Sequence, residues 1–210
     1  MKKVFAVILM VAMLLCSSAF AYESVAVTSG DVMPYEYSDK LYMDIPADCV
    51  VVSYELGLAL TDGLTNMTDD EFFAAFGVDK AYAASLMEIA PLSNLQMGDV
   101  IVGPDMFSNI LVNVTPSIGI TPDMIPEVGD MLGQSIVEGY IASGFAAESC
   151  TYLGIYNCNG IDHIVTYVTV EGIDMFQFVT FNAAGDMIML NVAAFDTTVI
   201  DLLLESLVLY

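Results

Sequence analysis

The feature that most constrains the fold is the dipeptide Asn159-Gly160, which joins two stretches of alternating side chains. Asn and Gly tolerate the positive φ values that a type I′ turn demands, so the dipeptide predicts a two-residue β-hairpin. The turn fixes three facing pairs in the two strands, which are Cys158 with Ile161, Tyr156 with His163, and Tyr152 with Tyr167.

A β-meander is predicted to continue from this hairpin, with strands at residues 161–170, 173–181 and 187–195. One face of these strands carries the side chains of Ile161, His163, Val165, Tyr167, Phe176 and Phe178, and the other carries Ile164, Val168, Met175, Val179 and Phe181. Because both faces are largely apolar, both must be covered by other elements of the chain.

Helices that could cover the sheet are indicated by their capping residues. Thr68 and Glu71 form a predicted capping box for a helix over residues 69–76, which is expected to turn its three phenylalanines, Phe72, Phe73 and Phe76, toward a core. Further helices are predicted at residues 79–90, at residues 126–142 and after an N-cap at Asp196. Shorter strands are predicted at residues 35–37, 41–45, 49–54, 100–102 and 110–114.

These elements predict the fold class. We expect an α+β domain in which an antiparallel β-sheet of about six to seven strands is covered by helices on both faces. The interior glycines of the helix at 126–142, Gly129, Gly133 and Gly139, each weaken it by up to ~1 kcal/mol relative to alanine. We expect them to let this helix pack closely on the sheet.

The cysteines and the single histidine are the first candidates for a metal or thiol site. Cys150 and Cys158 share one predicted strand at even spacing, which predicts the same face but a separation of roughly 26 Å. A disulfide requires Cα atoms within about 7 Å, so these two are not expected to pair unless Gly154 marks a deep bulge. Whether Cys49 pairs with either of them stays open. His163 is predicted to be a packed, hydrogen-bonded structural side chain, and no metal or cofactor is predicted.

The N-terminus has the pattern of a secretory signal peptide. Lys2 and Lys3 precede an apolar run, and the chain then reaches the small-residue motif Ala19-Phe20-Ala21. We expect a signal peptide at residues 1–21, cleaved after Ala21, a single domain at residues 22–210, and a secreted or cell-envelope protein. No later apolar stretch is long enough to suggest a membrane span.

The negative net charge of the chain limits the kinds of molecule that it is expected to bind. The sequence has no arginine, and once Lys2 and Lys3 are removed two lysines remain against 27 acids, a formal net charge of −25. Such a surface repels nucleic acid, whose phosphates are contacted by Lys and Arg, and it attracts cationic groups. We therefore expect a protein or peptide partner with a basic surface. The acids could also serve only to keep an apolar domain soluble.

The sequence signals for catalysis are less specific than the signals for a binding partner. Adjacent carboxylates, such as Asp69 with Asp70 or Asp44 with Asp48, could serve a hydrolase as acid and base. The chain has no G-x-S-x-G motif and no Cys-His-Asn pattern. Its many methionines and tyrosines leave open a third possibility, a carrier of a small apolar ligand.

The order of elements resembles a known family. An early strand ending in Ile45-Pro46, a strand with the sequence Asn109-Ile110-Leu111-Val112-Asn113, a long helix, the Asn159-Gly160 hairpin and a final helix containing Ile200-Asp201 are similar to the PsbP-like superfamily. This superfamily includes photosystem extrinsic subunits, the Ran-binding Mog proteins and exported bacterial proteins. The resemblance implies an antiparallel sheet between helices and a binding or accessory role. We therefore expect an exported, non-enzymatic binding domain.

Overall fold

The structure is a computed structural model, and it describes residues 31–117, 119–170 and 172–210. The predicted signal peptide at residues 1–21 lies outside these residues. The strands are β1 Val32–Tyr37, β2 Leu41–Pro46, β3 Val50–Val52, β4 Gly98–Val102, β5 Asn109–Thr115, β6 Cys150–Cys158, β7 Ile161–Val170, β8 Ile173–Phe181, β9 Met187–Ala193 and β10 Val208–Leu209. The α-helices are α1 Tyr54–Asn66, α2 Asp69–Phe76, α3 Lys80–Ile89, α4 Leu92–Leu95, α5 Ile125–Ala142 and α6 Thr197–Ser206.

The strands form two antiparallel sheets. The large sheet has seven strands in the order β3-β4-β5-β9-β8-β7-β6, and a separate small sheet has the order β1-β2-β10. The predicted α+β class and the large antiparallel sheet are confirmed. The sequence did not reveal that the first hairpin forms a sheet of its own with the C-terminal strand.

Both faces of the large sheet are covered, as its two apolar faces require. On one face, α5 packs against β6 and β7, while α4 packs against β4 at the other end of the sheet. The opposite face packs against α6 and the small sheet, whose Leu41, Met43 and Ile45 are fully buried beside Ile110 and Ile188. Helices alone were expected on this second face, but part of it is covered by strands instead.

Local capping signals placed several helices correctly. The Thr68 hydroxyl accepts from the Glu71 amide and the Glu71 carboxylate accepts from the Thr68 amide, so the predicted capping box of α2 is confirmed. The carboxylate of Asp196 likewise caps α6. One expectation for α2 is wrong: Phe72 is buried, but Phe73 is 59% exposed because it lies on the outer face of a short helix.

Helix α1 was not predicted from the sequence. A strand was expected over residues 49–54, but β3 ends at Val52 and the Ser53 hydroxyl accepts from the Leu56 amide to begin a helix. Gly57 and Gly63 interrupt the apolar pattern of this helix, and both are buried. A Cβ atom at Gly57 would lie 2.3 Å from Leu95 Cδ1, so a larger residue there would have to displace the Leu95 side chain.

The Asn159-Gly160 turn is confirmed, with both residues at positive φ and Cys158 paired with Ile161. Nearer the N-terminal end of β6, a β-bulge between Tyr152 and Gly154 shifts the register by one residue. As a result Tyr152 lies opposite Thr166, and the predicted pair of Tyr152 with Tyr167 is wrong.

The bulge also separates the two cysteines of β6. Cys150 pairs with Val168 and is buried in the cluster beneath α5, whereas Cys158 pairs with Ile161 and packs on the cluster of the opposite face. The prediction that they share one face is therefore wrong, because one inserted residue reverses the alternation of a strand.

The interior glycines of α5 allow the expected close approach to the sheet. A Cβ atom at Gly133 would lie 2.2 Å from the Tyr152 ring, and one at Gly129 would lie 2.8 Å from Ile155 Cδ1. The missing side chains let the helix axis approach β6, so the predicted close packing is confirmed at these two positions. Within the described residues, no helix is both long enough and apolar enough to span a bilayer.

Candidate binding groove

Strand β6 lies at the edge of the large sheet and exposes apolar side chains. It is nine residues long and contains no charged residue and no proline. Leu153 is 54% exposed and Tyr156 is 49% exposed, although both belong to the sheet. Exposed apolar side chains on an edge strand are typical of an interaction surface.

The bulge in β6 opens a hollow beside this edge. Gly154 has a φ of 110°, which favours glycine, and it pairs with Val165 of β7. Since Gly154 has no side chain, Val165 is not covered by its partner on the neighbouring strand. The local backbone geometry therefore creates a depression in the sheet where a side chain would ordinarily lie.

The hollow extends to helix α6 as a groove of about 370 Å³, which we call the β6–α6 groove. The rings of Phe176 and Phe178 form part of its wall with their centroids 6.3 Å apart. Its remaining lining residues are Leu153, Gly154, Ile155, Tyr156, Val165, Thr197, Ile200, Asp201 and Leu204. An apolar hollow with few polar groups is typical of a binding site.

Acidic side chains lie around the β6–α6 groove. Asp201 is the charged residue in its lining, and one helical turn further along α6 lies Glu205, also exposed. Burial, Glu205 and Asp201 together raise the pKa of the nearby Cys158 thiol. On the other face of β6, the Tyr152 hydroxyl donates to Asp130 at 2.8 Å.

The two lysines of the described residues do not pair with these acids, because their contacts lie elsewhere. Lys40 forms an ion pair with Asp186 at 2.8 Å, and Lys80 donates to the carbonyl oxygens of Leu64 and Met67. Among the described residues, therefore, no lysine forms an ion pair with Asp201 or Glu205, and these carboxylates favour a cationic ligand at the groove.

His163 lies beside the groove residues but does not line the groove. It faces Tyr156 across the hairpin, and its ring is perpendicular to that of Phe178 with centroids 6.3 Å apart. The side chain is fully buried and neither ring nitrogen has a hydrogen-bond partner. Burial lowers the pKa of His163 to about 4, which favours the neutral ring. Its predicted packing is confirmed, but the predicted hydrogen bonding is wrong.

The other sequence candidates are not assembled into a site. Cys49, Cys150 and Cys158 are all free thiols. Among residues 31–117, 119–170 and 172–210, no group of three or more His, Cys, Asp and Glu side chains is placed to hold a metal ion. No residue of the Asp69–Asp70 pair or the Asp44–Asp48 pair lines the β6–α6 groove.

The hydrogen bond between Tyr35 and Asp99 lies outside the groove and has a structural role. The Tyr35 hydroxyl donates to Asp99 Oδ2 at 3.0 Å, which joins the small sheet to β4. Burial raises the pKa of both groups, and the nearby Glu55 adds to the effect on Asp99. The pair holds two sheets together at a protected position.

The fold and the groove define the chain as an antiparallel α+β domain with an apolar cleft at one sheet edge. A solved structure with a similar fold is cyanobacterial PsbP from Synechocystis sp. PCC 6803, determined in solution, with 11% sequence identity and a TM-score of 0.46. The alignment covers 90% of this chain and 98% of that chain. That cyanobacterial protein bears the name of the superfamily that the sequence resembles, and neither a family nor a function is taken from the similarity. No protein-family model and no curated protein matches the chain.

Proposed function

We propose that this chain is an exported, non-enzymatic binding domain whose β6–α6 groove takes a protein or peptide segment that carries lysine or arginine. The observation that carries the proposal is the position of an apolar groove beside exposed Leu153 and Tyr156, with the carboxylates of Asp201 and Glu205 close to it. Apolar anchors supply affinity in such a site, and the acids accelerate encounter with cationic partners.

The proposal is tested with a defined probe, a fluorescent peptide of about seven residues in which lysine alternates with leucine. Its affinity for the purified protein is measured by fluorescence anisotropy. We expect Leu153→Ser to weaken binding at least tenfold. The matched control is Leu58→Ser, because Leu58 is 45% exposed on α1 and does not line the groove.

The electrostatic part is tested by a pair of double variants with the same change in charge. Asp201→Asn with Glu205→Gln is expected to weaken binding more than Glu36→Gln with Glu88→Gln, whose carboxylates are exposed elsewhere. Equal weakening by both pairs would mean that only net charge matters. Absence of peptide binding to the unmodified protein would refute the proposed function.

Export is tested separately. Protein isolated from the culture medium or cell envelope is expected to begin at Tyr22, which N-terminal sequencing reads directly. Retention of residues 1–21 in the mature protein would overturn this part of the proposal.

A second candidate function is favoured by the apolar lining of the β6–α6 groove. Its volume of about 370 Å³ lies within the range of small-molecule sites, so the protein could carry a small apolar ligand. Native mass spectrometry of the purified protein would then show a bound mass that Leu153→Ser releases. A ligand that the lysine–leucine peptide cannot displace would favour the carrier over the peptide-binding domain.

A further inference from the structure

We infer that the outer edge of β6 accepts an added β-strand, so that the basic segment binds in an extended conformation and sends side chains across Gly154 into the β6–α6 groove. This inference rests on the proposed function and specifies how the partner binds.

The edge of β6 differs from the other sheet edges of the described residues. The outer strands of the two sheets are β3, β6, β1 and β10. β3 has three residues and β10 has two, while β1 carries exposed Pro34 and Glu36. Short length, proline and charge are the usual protections of an edge strand against pairing. β6 has nine residues, no proline and no charged residue. A β-bulge can also protect an edge strand, and β6 has one between Tyr152 and Gly154.

The backbone of β6 is suited to strand addition beyond the bulge. Gly154, Ile155, Tyr156, Asn157 and Cys158 pair with β7 in continuous antiparallel register. In an antiparallel strand, alternate residues turn their N–H and C=O groups away from the existing partner, so this stretch presents at the edge donors and acceptors to which no other described strand is paired. Main-chain hydrogen bonds to these groups give affinity for an extended segment.

The bulge connects the edge to the groove. No side chain at Gly154 stands between the outer edge of β6 and Val165, and a Cβ atom built on Gly154 meets nothing within 4 Å. A side chain on an added strand opposite Gly154 can therefore lie across the glycine and reach the apolar floor. Flanking Leu153 and Tyr156 would cover its two sides.

Charge identifies the occupant as a basic segment and argues against a second copy of this chain. Two copies would each bring a formal net charge of −25 to the contact once residues 1–21 are removed. If two copies paired through β6, the carboxylates of Asp130 on one face and Asp201 on the other would lie close to the same carboxylates of the second copy. A segment with lysine or arginine on alternate positions gains from the same carboxylates.

The test uses two N-methylated forms of the lysine–leucine peptide, each methylated on one set of alternate backbone nitrogens. Strand addition uses N–H groups on only one side of the bound segment, so one set is expected to weaken binding at least tenfold and the other to leave it nearly unchanged. Hydrogen exchange is expected to slow at least tenfold at alternate amides between Ile155 and Cys158 when the unmodified peptide is bound.

The outcomes separate this inference from the proposed function. If both methylated peptides bind like the unmodified one, while Leu153→Ser still weakens binding, strand addition is wrong and the groove proposal stands. Equal losses with both peptides also exclude a strand. If the unmodified peptide does not bind, both proposals fail. A stable dimer in sedimentation experiments that protects the β6 amides would identify a second copy as the occupant and overturn the basic-segment assignment.

Discussion

Tyr156 and His163 face each other across the β6–β7 hairpin, yet Tyr156 is 49% exposed and His163 is 0% exposed. The tyrosine lies on the edge strand beside the groove, whereas the histidine lies one strand further in, against Phe178. The same pair thus connects the candidate binding surface to the core.

The buried histidine predicts how stability depends on pH. The folded pKa of His163 is about 4 and the ordinary value is 6.5, so the unfolded chain takes up a proton first as the pH falls. The contribution of the neutral ring is present above pH 6.5 and is lost between pH 6.5 and about 4, on the order of 3 kcal/mol in all. Urea unfolding of the protein and of His163→Gln at pH 7 and pH 4.5 isolates this contribution, since Gln does not titrate.

The same variant tests whether His163 is structural. At pH 7, Gln also leaves a buried polar group, so we expect a modest change in the free energy of unfolding and unchanged affinity for the basic peptide. Lost affinity at an unchanged melting temperature would show that the histidine takes part in binding. If the free energies of unfolding of the unmodified protein and of His163→Gln changed equally between pH 7 and pH 4.5, the predicted effect of His163 protonation on stability would be wrong.

The ion pair between Lys40 and Asp186 is expected to stabilise the fold in a pH-dependent way. The hydrogen bond from Lys40 is the main reason that the pKa of Asp186 is lowered, with smaller effects from Asn182 and the Ser117 amide. A lowered carboxyl pKa gives stability that is present above the unfolded value and is lost as the pH falls through the folded value. Lys40→Gln should lower the melting temperature and reduce this acid dependence.

Lys80→Gln provides the control for Lys40→Gln. It makes the same change in charge, but the carboxylate nearest to Lys80 belongs to Asp69, which is 3.8 Å away with a side chain 91% exposed. We expect no comparable change in the acid profile, as followed by thermal unfolding between pH 3 and 7. Identical profiles for the two variants would mean that net charge, and not the Lys40–Asp186 contact, sets the acid dependence.

Gly133 is expected to be required for the packing of α5 on β6. Alanine there gains about 1 kcal/mol of helix propensity, but its Cβ would lie 2.2 Å from the Tyr152 ring, and overpacking costs roughly 1–3 kcal/mol. We expect Gly133→Ala to be destabilising overall in urea unfolding. Addition of Tyr152→Val should remove the clash and recover part of the loss, and a strictly additive double variant would refute the contact.

Peptide association is expected to slow as salt rises. The Debye length falls from about 10 Å at 0.1 M to about 3 Å at 1 M, so the attraction between the acidic surface and a cationic segment should be screened. Stopped-flow measurement of the on-rate of the lysine–leucine peptide tests this, with a glutamate–leucine peptide as the charge-reversed control. An on-rate that stays constant across this range would remove the electrostatic part of the proposal.

Local signals in the sequence determined many individual elements. The Asn159-Gly160 turn, the cap of α2 at Thr68 and the cap of α6 at Asp196 could be predicted because each depends on residues within a few positions along the chain. The alternation along β7 and β8 likewise predicted two buried faces, because side chains of a strand point to opposite sides by geometry alone.

Tertiary structure decided what these elements do together. The bulge at Gly154 reverses the facing of Cys150 relative to Cys158, and no composition rule places a bulge at one glycine and not at another. The partner of Lys40 lies 146 residues away at Asp186, and the small sheet joins β2 to the C-terminal strand. The β6–α6 groove is lined by three consecutive strands and by α6, and it depends on how that helix packs beside the bulged strand. Turns and caps are stabilised by residues a few positions away, whereas the groove exists only where α6 packs against the bulged hairpin and Gly154 leaves a side chain out.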